Sequence, residues 1–302
     1  MEFVDKSIGS ERAHNLLVNF LNRCLNKNPY PENLYVEMKD DTESDVRINP
    51  NQDKTYKLLL KWILEESHIE GDGLNNDEGY CCYCMRRIKA DENHSTLEHV
   101  IPKSVNTEIE YNSYFRVNSE LERNENIMIL KTKFDTQRHR KALPCPHNVA
   151  YENLVASCDG CLPIGSTNHV CCNGPRDAYK IPPIMFMRDI RDQIKYKKSG
   201  GIIWKAGNPD MNVKKERAKI INNVLCLNHD ILKCIRRIWC YLAENGLDCN
   251  LDNNEKRRVI DTLTADSTQK AEKDMLQNFL SQTNYWNLLD QYRYFNDVNK
   301  FT

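Results

Sequence analysis

The densest chemistry in this sequence lies in its middle third, where two groups of cysteines bracket an adjacent glutamate and histidine. Cys81 and Cys84 form a C-x-x-C pair, with Tyr83 inside it and Arg86 and Arg87 just after. Cys158, Cys161, Cys171 and Cys172 make up the second group. A short spacing lets one tight turn present two thiolates to one ion. Two such half-sites far apart in the chain give the pattern of a four-coordinate structural zinc site. Closing it ties distant segments together, so zinc binding becomes folding energy. Buried or redox cysteines are the competing explanation, and the paired arrangement argues against them far more than a lone C-x-x-C would. Spacing alone leaves open which of Cys161, Cys171 and Cys172 joins Cys158.

Between the half-sites runs Thr96-Leu-Glu98-His99-Val-Ile-Pro102-Lys103. A carboxylate is a hard oxygen ligand suited to Mg²⁺ or Mn²⁺. A neutral imidazole can take a proton from water near pH 7. Side by side, Glu98 and His99 offer a metal ligand and a base to one phosphodiester. Neighbours on a strand point to opposite faces, so a shared site needs a twist or a bulge, with Pro102 helping to end the segment. A Glu-His dipeptide means little by itself; its place between two zinc half-sites gives it weight. Asn153, in Tyr151-Glu-Asn-Leu-Val-Ala-Ser-Cys158, and Asn173, in Cys172-Asn-Gly-Pro-Arg-Asp177, complete the constellation.

Taken in order, C-x-x-C, E-H-x-x-P-K, Y-x-N-L-x-x-S-C and C-N followed by a basic residue resemble the Cys-bearing HNH endonucleases. The resemblance implies a ββα-metal core, a hairpin and a helix gripping one catalytic cation, beside a structural zinc. It implies Glu98 as acidic metal ligand, His99 as general base and Asn153 as the residue that holds the loop carrying the base. Asn173 falls at the last motif position, a metal ligand that is His in many members and Asn in some. Arg176 matches the basic residue that often follows, and Asp177 is a further candidate for the catalytic metal. Motif order favours Cys81, Cys84, Cys158 and Cys172 as zinc ligands, whereas spacing alone keeps Cys161 in competition, because an insertion separates Cys158 from Cys172. Over residues 78–240 the sequence looks like the HNH subunits of Septu-type and retron-associated antiphage systems. That likeness implies an SMC-like ATPase partner and products with a 5′-phosphate and a 3′-hydroxyl.

These motifs need elements to hold them. Leu16, Leu17, Phe20, Leu21 and Leu25 recur at helical spacing and predict a helix over residues 8–26. Residues 28–54, with Pro29, Pro31 and an acidic run, read as a loop with a short strand. A second helix is expected over 55–67, and Gly71, Gly73 and Asn75 break the chain after it. Short strands are expected at 184–187 and 201–204. Helices follow at 219–227, 230–244 (ended by Asn245-Gly246), 255–264 and 268–294. Near the start of the 230–244 helix, Asn228 or Asp230 is the expected cap. The expected class is α+β and mostly helical: an N-terminal helical region over 1–77, the HNH core over 78–180 and a C-terminal helical region over 181–302.

Thirteen cysteines among 302 residues, an odd number, argue against a simple disulfide framework and for metal binding in a reducing compartment. No apolar run approaches the roughly 18 residues of a membrane helix, and the charged first residues lack a signal-peptide core. A cytoplasmic protein with no membrane association is therefore expected. The net charge of −1 excludes a generically basic nucleic-acid binder, so phosphate contacts must come from local groups. Lys103, Arg86, Arg87 and the basic stretch 131–141 are the candidates. The substrate is expected to be nucleic acid, with DNA, RNA and tRNA undistinguished. A zinc hydrolase is disfavoured, since no H-E-x-x-H occurs and four thiolates leave no open position on the metal. The competing class is a zinc-stapled module that binds nucleic acid or protein without cutting it. Such a module needs the cysteines but not Glu98, His99 and Asn173 together.

Overall fold

The computed structural model describes residues 1–2, 4, 11–45, 47–69, 73–90, 94–103, 105, 148–162, 168–176, 179, 181–182, 184–187, 189–205 and 211–302. Helix α1 (Glu11–Leu25) forms as expected, with Leu16, Leu17, Phe20, Leu21 and Cys24 buried along one face. Helix α2 (Leu34–Asp40) replaces the expected loop. The Asn33 side chain caps it by accepting from the Val36 N–H at 3.2 Å, and Leu34, Tyr35 and Met38 are buried. The acidic run after it is held by Arg23 of α1, which reaches Asp41 at 2.5 Å and Glu43 at 2.9 Å. Helix α3 (Thr55–Glu65) follows the expected span, and eight of its eleven residues are buried.

Two hairpin-like pairs form the middle of the chain. Strands β1 (Glu78–Tyr80) and β2 (Arg87–Lys89) are antiparallel, and the turn between them carries the C-x-x-C. Strands β3 (Ser95–His99) and β4 (Leu154–Cys158) are also antiparallel, with Glu98 opposite Val155 and His99 opposite Leu154. A two-stranded sheet leaves backbone groups unpaired along its edges. Two tyrosines from the N-terminal helices satisfy this need on β3. Tyr56 Oη of α3 accepts from the Leu97 N–H at 2.9 Å, and Tyr35 Oη of α2 donates to the Leu97 carbonyl at 3.0 Å. Helices α2 and α3 therefore act as the neighbour that β3 lacks. A four-residue helix, α4 (Asn173–Arg176), follows Cys172.

Beyond it, a short helix α5 (Ile190–Gln193) leads into strand β5 (Ile194–Tyr196), which pairs with β6 (Ile202–Trp204). Residues 184–186 form a 3₁₀ turn rather than the expected strand, with Ile184, Met185 and Phe186 all buried; a short apolar run does not reveal its period. Gly200 takes φ +83°, and a Cβ there would meet the Lys233 carbonyl oxygen at 1.9 Å, so the close approach requires glycine. Helix α6 (Met211–Lys219) runs into a π-helical turn at Ile220–Val224, where one continuous helix was expected from 219. Helices α7 (Asp230–Glu244), α8 (Asn253–Asp266), α9 (Lys270–Ser281) and α10 (Thr283–Asp290) complete the chain. The cap of α7 is His229, whose ring accepts from the Ile231 N–H, while Asn228 bonds both backbone groups of Ile202. Asp252 and Glu255 build a capping box on α8.

The protein is thus α+β, about half of it helical, with three two-stranded sheets among the described residues. One buried apolar cluster extends through all three segments, from Leu16 and Leu60 through Leu154 to Trp239 and Phe295. Among the described residues, no helix is long and apolar enough to cross a membrane.

Replacing Tyr56 with Phe removes the acceptor of a buried N–H. That change is expected to destabilise the fold by about 1–3 kcal/mol. In urea unfolding, the midpoint should fall with an unchanged slope.

Candidate functional site

The sulfurs of Cys81, Cys84, Cys158 and Cys172 lie within 4.8 Å of one another, all four buried. The chain reaches this arrangement through three separate devices. Cys81 and Cys84 share a tight turn, closed by the Met85 N–H on the Cys81 carbonyl at 3.1 Å, with Met85 at φ +63°. Cys158 ends β4, next to that turn, because the Cys82 N–H donates to the Ala156 carbonyl at 3.0 Å. Cys172 is brought back across the 159–171 insertion. Cys161 and His169 form an isolated bridge, and the Val170 N–H donates to Gly160 at 2.9 Å. Gly160, at φ +80°, lies so close to Cys171 that a Cβ would fall 2.1 Å from its carbonyl oxygen.

Among the described residues every cysteine is free. The sulfur separations of 3.8 Å, Cys81 to Cys172 and Cys84 to Cys158, are far longer than the roughly 2.05 Å of a disulfide. They match the edge of a tetrahedron with metal–sulfur bonds of about 2.3 Å, which is about 3.8 Å. Four buried thiols with this spacing fit a structural zinc ion. The rival ligand Cys161 lies elsewhere: its sulfur is 3.3 Å from His169 Nδ1, and burial pushes its thiol up to about 11. Cys171 touches the cluster, but its thiol is directed to the Gly160 carbonyl at 3.7 Å.

Glu98 and His99 sit at the end of β3, both buried, and strand alternation gives them different partners. Glu98 forms an ion pair with Arg176 of α4. The same guanidinium donates to Tyr83 Oη at 3.0 Å and to the His99 carbonyl at 3.0 Å. Arg176 therefore joins the C-x-x-C turn, the carboxylate and the backbone of the histidine. Burial lifts the Glu98 carboxyl to about 7, against the pull of Arg176 and Lys103. On the other side, the His99 ring packs edge-on against Tyr35, with centroids 4.7 Å apart. Its Nε2 lies 2.8 Å from the Asn148 carbonyl. A carbonyl only accepts, so Nε2 carries a proton, and in the neutral ring the lone pair would then fall on Nδ1.

Asn153 grips the chain just past the histidine. Its Oδ1 accepts from the Ile101 N–H at 2.7 Å and its Nδ2 donates to the Ile101 carbonyl at 3.0 Å, with the side chain fully buried. The Val100 N–H adds a bond to the Asn153 carbonyl at 2.9 Å. Asn173, at the start of α4, donates to Thr96 Oγ1 at 3.3 Å. Thr96 and Glu98 share a face of β3, so Asn173 and Glu98 lie on the same side of the sheet. One carboxylate and one amide suffice for Mg²⁺, which keeps several of its waters. Among the described residues the four-cysteine cluster is the group of three or more histidines, cysteines or carboxylates placed to hold a metal, and Asp177 lies outside the described residues.

The structure changes the list of phosphate-binding candidates. Arg86 is buried and committed, bonding Gln291 Oε1 and the Cys161 carbonyl, each at 2.8 Å. Arg87 pairs with Glu78 at 2.5 Å. Neither is available to a phosphate in the way the sequence suggested. The basic stretch 131–141 lies outside the described residues. Lys103 is exposed beside the site. Two residues that sequence reasoning did not single out also shape the site: Tyr35, packed on His99, and Tyr292, whose hydroxyl lies 3.7 Å from Cys84 Sγ. Their positions in helical flanks gave no signal. Compared with protein-family models, curated proteins and solved structures, the chain matches none.

Purified protein is expected to carry one zinc per chain, read by plasma mass spectrometry. Cys172→Ser should lose it, and Cys161→Ser should keep it. Zinc retained by Cys172→Ser and lost from Cys161→Ser would reverse the ligand assignment.

Proposed function

We propose that this protein is a metal-dependent endonuclease of the HNH type that hydrolyses phosphodiester bonds in nucleic acid. The observation that supports this most is the grip of Asn153 on both backbone groups of Ile101, two residues past His99. A buried amide with both ends spent on one loop residue fixes the backbone that carries the histidine. Around it, among the described residues, β3, β4 and α4 come in the order strand, strand and helix, with Glu98 and His99 on β3 and Asn173 on α4. That is the order expected of a ββα core.

In this reading His99 takes a proton from the attacking water at Nδ1, because the Asn148 carbonyl holds the other nitrogen protonated. Asn153 and the Tyr35 ring keep the imidazole in place. Glu98 and Asn173 would hold Mg²⁺ or Mn²⁺. Bound there, the cation supplies charge stabilisation to the leaving oxygen and the phosphoryl group. The four-cysteine centre supplies no chemistry; it joins the C-x-x-C turn, the end of β4 and the start of α4. The sequence likeness to antiphage HNH subunits leads us to propose a defence effector that acts in the cytoplasm with an SMC-like ATPase. The near-zero net charge suits an enzyme that depends on a partner for much of its substrate affinity.

One observation favours a second reading, a zinc-stapled module that binds nucleic acid or protein without cutting. Arg176 already satisfies the Glu98 carboxylate, and a structural ion pair would do the same.

Cleavage of plasmid DNA and of tRNA, with Mg²⁺ or Mn²⁺ and with or without candidate ATPases, separates the two. Cutting is expected, and His99→Ala should lower its rate by about 100-fold or more with zinc content unchanged. Cutting that survives His99→Ala undiminished would remove His99 as the base. An intact zinc protein that cuts under no condition supports the binding module.

A further inference from the structure

Two lysines converge on one aromatic ring beside His99. Lys103 Nζ lies 4.2 Å from the centre of the Tyr35 ring, and Lys39 Nζ lies 5.3 Å from it and 5.2 Å from the centre of the Tyr56 ring. Tyr35 is the residue packed on His99. Lys103 belongs to the E-H-x-x-P-K segment, whereas Lys39 comes from α2, far away in sequence. Both are exposed, and among the described residues no carboxylate forms an ion pair with either. Glu98, the acid that acts on Lys103, is already engaged by Arg176, and Asp41, two residues past Lys39, by Arg23.

Two like charges gathered on one ring repel each other. Burial and the charge of Lys39 together lower the proton affinity of Lys103, and Glu98 offsets this in part. Cation–π attraction holds each ammonium over the negative ring face but does not neutralise it. An anion bridging the two would. The ring that carries the lysines also packs against the proposed base, so an anion held there would lie near the reacting phosphate.

We propose that Lys39 and Lys103 form a phosphate clamp for the nucleic-acid backbone next to the cleaved bond. This inference rests on the nuclease reading for its substrate. It assigns the N-terminal helical region a part in substrate binding, through Lys39, and gives Tyr35 two jobs: orienting His99 and seating the lysines. The contact is to backbone phosphate, so it carries affinity and positioning but no base preference.

The test uses full-length His99→Ala protein and a fluorescein-labelled oligonucleotide, made as DNA and as RNA of the same sequence. Binding is measured across a salt series. Lys39→Ala and Lys103→Ala should each reduce the slope of log affinity against log salt by about one. Lys39→Arg and Lys103→Arg should restore it, which a merely structural role would not require. Circular dichroism and zinc content check that the variants fold. A double alanine variant with an unchanged slope, or no binding of either probe at low salt, overturns the clamp. Cleavage by the otherwise native protein is scored separately. A chain that cuts with the same KM after both lysines are replaced keeps the nuclease reading and loses the clamp. A chain that binds through the lysines but never cuts keeps the clamp and loses the nuclease.

Discussion

Four thiol sulfurs within 4.8 Å of one another, all buried, pose an electrostatic problem that shapes the rest of the molecule. Deprotonated, they repel one another in a medium that screens poorly. Protonated, they spend four buried groups on weak hydrogen bonds. A divalent cation would resolve the conflict and turn it into a staple. The stapled segments are the ones that carry the candidate chemistry. Cys158 ends the strand opposite Glu98 and His99, and Cys172 immediately precedes Asn173. The four-cysteine cluster and the Glu98–His99 site thus share β4 and α4, while Glu98 and His99 themselves lie on β3.

Arg176 is the second link between them. Its guanidinium is almost wholly buried and touches Tyr83, Glu98 and the His99 carbonyl. Burying a charge pair costs desolvation that its attraction often only balances, but removing one partner leaves a stranded charge. Such a residue acts less as a source of stability than as a constraint on geometry. It fixes α4 against the end of β3 and fixes Glu98 to one side of the strand. His99 then faces the other side, toward Tyr35.

The flanking helices enter this arrangement through hydroxyls and rings rather than through charges. Tyr35 and Tyr56 complete the open edge of β3 at Leu97, and Tyr35 also packs on His99. From the C-terminal side, Gln291 accepts from the Arg87 N–H at 2.6 Å and from Arg86, while Tyr292 approaches Cys84. A two-stranded sheet of five-residue strands is marginal by itself. Here helices that share its hydrophobic core support it.

What the sequence determined by itself follows from short-range rules. Helical periodicity located α1, α3, α7 and α8 to within a few residues, since one face of each is apolar at a fixed spacing. The C-x-x-C turn was legible from its short spacing, and Glu98, His99, Asn153 and Asn173 were legible as candidates through their motifs. Tertiary structure decided the rest. It separated Cys172, which motif order favoured, from Cys161, which spacing kept open, because that choice depends on how the thirteen residues 159–171 bring Cys172 back, past Gly160 and the Cys161–His169 bridge. It made a helix of 34–40, where two nearby prolines suggested a loop, because Asn33 caps it and its apolar face meets α3. It turned Arg86 from a surface candidate into a buried brace and brought Lys39 to Tyr35, the ring packed on His99. Spacing along a chain encodes which residues share a turn or a face, but not which distant ones share a contact. That depends on how the whole hydrophobic core closes.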